Sequence, residues 1–167
     1  MSLQFIHSEM IFRTAEVSDV EQIQVVRHLV KENRLSNPEL VPDQDVILYI
    51  SEKGKGWVCE IAGQVVGFSI IDLTGKSVWA LFVDPNFAEK GIGKHLHKLM
   101  IDWYFEKTQA DVELGTAPNT RAEQFYQLQG WTRAGSYLNG EVKFKLTYND
   151  WLSQRTKKEV VLKHGKV

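Results

Sequence analysis

The stretch VDPNFAEKGIGKHLHKLM, Val83 to Met100, decides the fold: an apolar run stops at a proline, and two glycines then open a helical pattern. Upstream of it, SVWALFVD (77–84) is rich in β-branched and aromatic residues and reads as a strand. Downstream, Ile92, Leu96, Leu99, Met100 and Trp103 recur at helical spacing, predicting one apolar helix face as far as about Thr108. DVELGT (111–116) is a further strand, so strand, helix and strand form a βαβ unit whose strands lie parallel. The turn EKGIGK places unpaired backbone N–H groups at the positive end of a helix dipole, and glycine lets an anion approach the main chain. Two glycines fall short of G-x-G-x-x-G, since position 96 is Leu96, and no G-K-[ST] ends the turn. Taken alone, the turn fits an anion site and a ligand-free structural bend equally.

Working outward, MIFRTAE (10–16) reads as a strand leading to a helix that Ser18 caps with Glu21 three residues on. That helix buries Val20, Ile23, Val26 and Val30 and runs out near Asn33. A second helix follows Pro42, with Asp43 or Asp45 as its cap. GWVCEIA, QVVGFSIIDL and SVWALFVD, separated by short turn signals, form an antiparallel meander. Asn119 can cap a helix over TRAEQFYQLQG that stops at Gly130, and WTRAGSYLNGEVKFKLTY closes the domain as a hairpin around Asn139 and Gly140. The expected class is α/β, a mixed sheet with helices on both faces.

The chain of 167 residues, 43% hydrophobic, suits a single globular domain over 1–151, followed by a basic tail or short helix over 152–167. A formal net charge of -1 points away from nucleic acid or an anionic membrane as the main partner. The one cysteine, Cys59, excludes an internal disulfide framework and reads as a small buried hydrophobe within a strand. No apolar run approaches the roughly 20 residues that cross a bilayer. MSLQFIHSEM lacks the pattern of a signal peptide, so a cytoplasmic location is expected.

A second segment, NTRAEQFYQLQGW (119–131), joins an amide residue to a helix with an aromatic pair and a Gly-Trp exit. With it, the chain resembles the GNAT superfamily of acetyl-coenzyme A dependent N-acetyltransferases. Val83, Asp84, Pro85, Gly91, Ile92, Gly93 and Leu96 are similar to its pyrophosphate motif, [QR]-x-x-G-x-[GA] followed by an apolar helix; Asn119, Ala122, Phe125, Tyr126, Gly130 and Trp131 are similar to its second motif. The likeness spans about residues 10 to 147. It implies a mostly antiparallel sheet of six to seven strands whose central parallel pair splays apart beside a β-bulge. It further implies that acetyl-CoA is the co-substrate, that the acceptor is a primary amine attacked directly, and that no metal takes part.

By the same resemblance, backbone groups of Leu81, Phe82 and Val83 meet the thioester and pantetheine, and an N–H near Leu81 or Phe82 stabilises the oxyanion. Ala88, Glu89, Lys90, Gly91, Ile92, Gly93 and Lys94 surround the diphosphate. Asn119 holds the pantetheine arm or simply caps its helix, Phe125 packs on the cofactor or in the core, and Tyr126 protonates the departing thiolate. The chain departs from the pattern at Ala88, where Gln or Arg is usual, at Glu89, where Gly is common, and at Ser77, near which some members carry a glutamate base. Glu113, on the neighbouring strand, and Asp72, at the end of the third, are the candidate substitutes for that base, acting directly or through water. A non-catalytic acyl-CoA holder or sensor of the same fold is the alternative; a Rossmann-type protein fits poorly. Glu32, Glu39, Asp43 and Asp45 point toward a cationic acceptor or read as solvated loop carboxylates. The family often dimerises, and no residue pattern selects the oligomer.

Overall fold

The computed structural model describes residues 9–30 and 41–164, with side chains as far as Lys157. Strand β1 (Met10–Thr14) leads through a 3-10 turn, Val17–Asp19, into α1 (Val20–Leu29), and α2 (Asp43–Leu48) continues as a wider helical turn over Tyr49–Lys53. The meander β2 (Gly54–Ile61), β3 (Gln64–Asp72) and β4 (Ser77–Val83) follows, then α3 (Ile92–Lys107), β5 (Val112–Thr116) and α4 (Arg121–Leu128). The hairpin β6 (Thr132–Ser136) and β7 (Val142–Leu146) precedes the last helix, α5 (Tyr148–His164).

The seven strands form one sheet in the order β1-β2-β3-β4-β5-β7-β6. All neighbours are antiparallel except β4 and β5, whose parallel pairing consists of Ser77 opposite Glu113. Beyond that point the two strands diverge. The βαβ reading of the opening stretch therefore holds, and so does the mostly antiparallel α/β class. Between Ile70 and Ile71 the register with β4 slips from Ala80 to Val78, leaving Trp79 as an extra residue: a β-bulge, which bends β4 at mid-sheet.

Helices cover both faces. On one, α1 and α2 bring Ile23, Val26 and Val46 onto Val58, Phe68 and Ile70. On the other, α3 lays Ile92, Leu96 and Met100 against Cys59, Val66 and Ile71, and continues with Ile101, Tyr104 and Phe105 toward Leu114, Phe144 and Leu146. Gly67 on β3 sets the closeness of that packing: a Cβ there would lie 3.1 Å from Ile92 and 3.2 Å from Leu96. The apolar face of α3 is broader than its spacing predicts. Leu99 and Trp103 are only partly buried, whereas His97, Ile101, Tyr104 and Phe105 are buried.

Three expected caps are corrected. Ser18 is exposed and caps nothing; the Glu16 N–H donates to Asp19 Oδ2 at 2.7 Å, and Arg13 clamps the same carboxylate at 2.7 and 2.8 Å. An Arg-held carboxylate at the helix entrance is a stronger acceptor than a free serine hydroxyl. Neither Asp43 nor Asp45 caps α2, because Pro42 is the extended residue before the helix and both aspartates sit in its first turn. At α4 the cap is Thr120 rather than Asn119: its Oγ1 accepts from Glu123 N–H at 3.3 Å. The first helix ends at Leu29, with Val30 already extended, short of the expected end near Asn33; Glu32, Glu39 and the N-terminal segment 1–8 lie outside the described residues.

Downstream of Trp151, where the sequence reading ends the domain, there is no break. Trp151 is buried in α5, stacks on Phe105 at 5.5 Å, and donates from Nε1 to Asp102 at 2.9 Å. Gln154, one turn further on, donates to the Gln129 carbonyl at 3.2 Å.

Candidate active site

The divergence of β4 from β5 opens a cleft in the middle of the sheet. It is walled by Trp79, Leu81 and Phe82 from β4, by Leu114 and Thr116 from β5, and by Tyr126 from α4. In an antiparallel pair only alternate residues direct their backbone groups at the partner, so those of β4 not turned to β3 face this cleft. β5 does not take them up beyond Ser77. Any extended polar chain lying there finds a strand edge to pair with.

Thr116 adds a second polar feature. Its Oγ1 is buried in the cleft wall with no hydrogen-bond partner. Leaving such a hydroxyl unpaired costs about 1–3 kcal/mol, which a bound polar group would recover. The pantetheine arm of coenzyme A, with two amides on a narrow flexible chain, has the shape and chemistry for both features.

The glycine turn lies between β4 and α3. Gly93 lies in ordinary contact with Val83 and Phe125, at 3.6 and 3.9 Å from where its Cβ would be, so these two residues flank the first turn of α3. Asp84 shapes the strand exit: it is buried, its Oδ1 accepts from the Asn86 N–H at 2.9 Å, and its own N–H donates to Val66. Gly91 has φ +77° and an open Cβ direction, so the glycine is needed for its left-handed backbone and not for space. Glu89 shares the left-handed region at φ +63°. From Gly91 the helix begins, and the N–H groups of Ile92, Gly93 and Lys94 have no carbonyl one turn earlier to bond. They form the donor set of an anion cradle. Lys90 folds over Phe87 at 5.7 Å, while Lys94 lines a groove of about 240 Å³ between α3 and α5 with Lys98, Trp151 and Arg155.

Tyr126 is buried in the aromatic group of Phe125, Trp131 and Phe144 while forming part of the cleft wall. Burial pushes its phenol well above the ordinary 10, so it stays protonated at neutral pH. His97 fixes this cluster by accepting from Trp131 Nε1 at 2.9 Å, which explains the Gly-Trp exit: Gly130, at φ +93°, turns the chain so that the indole enters the core.

Thus Leu81, Phe82 and Tyr126 meet in one cleft, Val83 and Phe125 flank Gly93, and Gly91 and Lys94 line the separate groove between α3 and α5. Asn119 is not brought in. It is exposed at φ +61°, with its N–H donating to Glu123 Oε2. Glu113 sits at the closed end of the strand pair, opposite Ser77, and pairs with Lys143 at 3.3 Å. Asp72 is engaged too, its Oδ1 closing the β3–β4 turn by accepting from Gly75. Sequence reading missed Thr116, Trp79 and Leu114, whose strand patterns look like ordinary core.

This geometry agrees with the comparisons by sequence. The acetyltransferase (GNAT) family matches residues 23–131, about two thirds of the chain. The chain belongs to the GNAT acetyltransferase family.

Among solved structures, a GNAT-family acetyltransferase from Staphylococcus aureus Mu50 superposes with TM-score 0.72 at 16% identity, covering 84% of this chain and 99% of that one. The PaiA N-acetyltransferase of Thermoplasma acidophilum, in complex with coenzyme A, gives 0.70 at 13% identity, with 84% and 99% covered. YncA of Salmonella typhimurium, solved with its cofactor acetyl-CoA, gives 0.68 at 19%, with 83% and 94% covered. At such identities the likeness is one of fold. A search of curated protein sequences returns no match. Among the described residues, no helix of this GNAT chain is long and apolar enough to cross a membrane.

Proposed function

We propose that this protein transfers the acetyl group of acetyl-CoA to a primary amine by direct attack in the β4–β5 cleft. What supports the reading is the β4–β5 cleft, where an unpaired strand edge and an unpartnered Thr116 hydroxyl meet, together with a glycine turn that opens α3 directly after β4. Acetyl-CoA supplies an activated thioester. The β4 edge orients it, a backbone N–H at Leu81 or Phe82 polarises its carbonyl oxygen, and the turn from Ala88 to Lys94 holds the diphosphate. Tyr126 donates a proton to the departing sulfur. Glu113, committed to Lys143, acts on the amine only through intervening water; an amine that loses its proton to solvent needs no fixed base. Asn119, one step outside the cleft, contributes at most to the pantetheine entrance.

Calorimetry with acetyl-CoA at micromolar concentration, followed by thiol release with a panel of amines, tests this. Binding with turnover is expected. Binding without turnover on any amine would leave a non-catalytic acyl-CoA holder, and no binding removes the reading altogether.

A further inference from the structure

Arg27 is the one cation of the inner α1 face, and the proposed transfer does not use it. Its guanidinium is packed among three rings, with Cζ at 4.9 Å from the Trp79 centroid, 5.3 Å from Phe82 and 5.7 Å from Phe68. Trp79 and Phe82 are themselves walls of the β4–β5 cleft, and Trp79 is the bulged residue. Rings cover the faces of a guanidinium and leave its edge, which carries the N–H groups, to other partners. Here Nε and Nη2 are buried and find none. Among the described residues no carboxylate or carbonyl compensates them. Burial lowers the group from 12.5 to about 10, so it stays charged at neutral pH.

A buried, charged fork with two unanswered donors calls for a planar anion, and a carboxylate matches it with two parallel hydrogen bonds. We propose that the amine acceptor carries a carboxylate, as an amino acid does, and that Arg27 binds it while the amine points past Trp79 and Phe82 into the cleft. This rests on the reading of the cleft as the acetyl-transfer site, whose substrate class it names. Of the acidic residues that pointed toward a cationic acceptor, the two described ones do not oppose it. Asp43 accepts from Gln24 at 3.2 Å and, with Asp45, complements the α2 dipole.

The test compares amino acids with the amines left when their carboxylate is removed, using wild type, Arg27→Lys and Arg27→Met. Wild type should favour the carboxylated member by at least roughly 50-fold in kcat/KM, because the site's buried donors are otherwise unpaired. Arg27→Met should abolish that preference through KM and leave acetyl-CoA affinity unchanged by calorimetry. Added methylguanidinium should restore part of it. Arg27→Lys, with a charge but no fork, should fall between. Wild type acetylating the decarboxylated amines as well as the acids overturns the proposal without touching acetyl-CoA binding, and needs no variant to fold. Loss of acetyl-CoA binding in wild type would overturn it together with the reading beneath it.

Discussion

Tyr126 and Thr116 face the same cleft and are expected to fail differently when altered. Burial raises the Tyr126 phenol, so it is neutral at rest, as the proposed acid must be. Tyr126→Phe keeps the ring contacts with Phe125, Trp131 and Phe144 and removes only the donor. It should lower kcat by about 100-fold with acetyl-CoA affinity unchanged, as single-turnover and calorimetric measurements would show. Full activity in that variant would exclude Tyr126 as the acid. Thr116→Val replaces a buried, unpartnered hydroxyl by a methyl of the same shape. Since nothing is lost within the protein, thermal stability should hold or rise slightly, while acetyl-CoA affinity drops about 5- to 10-fold, the worth of one hydrogen bond. A fall in stability with affinity intact would make Thr116 purely structural. Tyr126 was legible in its motif; Thr116 was not, because a threonine in a strand looks the same whether or not its hydroxyl is paired.

Among the elements, α5 separates the sequence reading from the fold most clearly. Its basic composition suggests a solvated tail, and beyond Lys157 only its backbone is described. Its first turns nevertheless carry Trp151 into contact with Phe105 and Tyr148, and Gln154 onto the α4–β6 turn. A chain ending at Lys157 should keep the full urea midpoint. One ending at Thr147 loses the Trp151 packing and should be destabilised by about 3 kcal/mol, the usual cost of emptying an aromatic site. Equal midpoints for the two would show α5 to be dispensable. The β4 bulge is the other such element: Trp79 reads as one more strand residue, and only pairing with Ile70 and Ile71 reveals that it is extra.

At the scale of the molecule, pH acts through two sets of groups. Asp19 lies below its ordinary 3.8, chiefly through its hydrogen bonds to Arg13. The folded state therefore binds that proton less tightly than the unfolded chain, and the stability it supplies is present above pH 3.8 and lost as the pH falls through the folded value. At the alkaline end burial raises Cys59 from 9.0 to about 11 and Tyr104 from 10.0 to about 12. Their contribution is complete below pH 9 and is lost as the unfolded chain ionises first, up to about pH 12. Arg27 runs the other way, since above about pH 10 the fold is relieved of a buried charge. With Tyr126 also raised, the groups that lose stability outnumber it. The urea midpoint should thus fall at both ends, and Asp19→Asn should flatten the acid limb; an unchanged acid limb would assign the loss to other carboxylates.

The sequence by itself determined the order of elements, the parallel crossing at the glycine turn, and the two motifs that mark the family. These depend on local periodicity, on turn residues and on spacing, all of which are written along the chain. It also named Leu81, Phe82 and Tyr126, which line the β4–β5 cleft. Caps at Asp19 and Thr120 went unseen because neighbouring residues look equally able to cap, and side-chain geometry chose between them: Arg13 holds Asp19, and Glu123 bonds back to both Thr120 and Asn119. Only the tertiary structure decided that β4 parts from β5, that Glu113 is spent on Lys143, and that Arg27 enters an aromatic enclosure with its donors unanswered. Each of those is a relation between residues far apart in the chain, fixed by burial and pairing that no local pattern encodes.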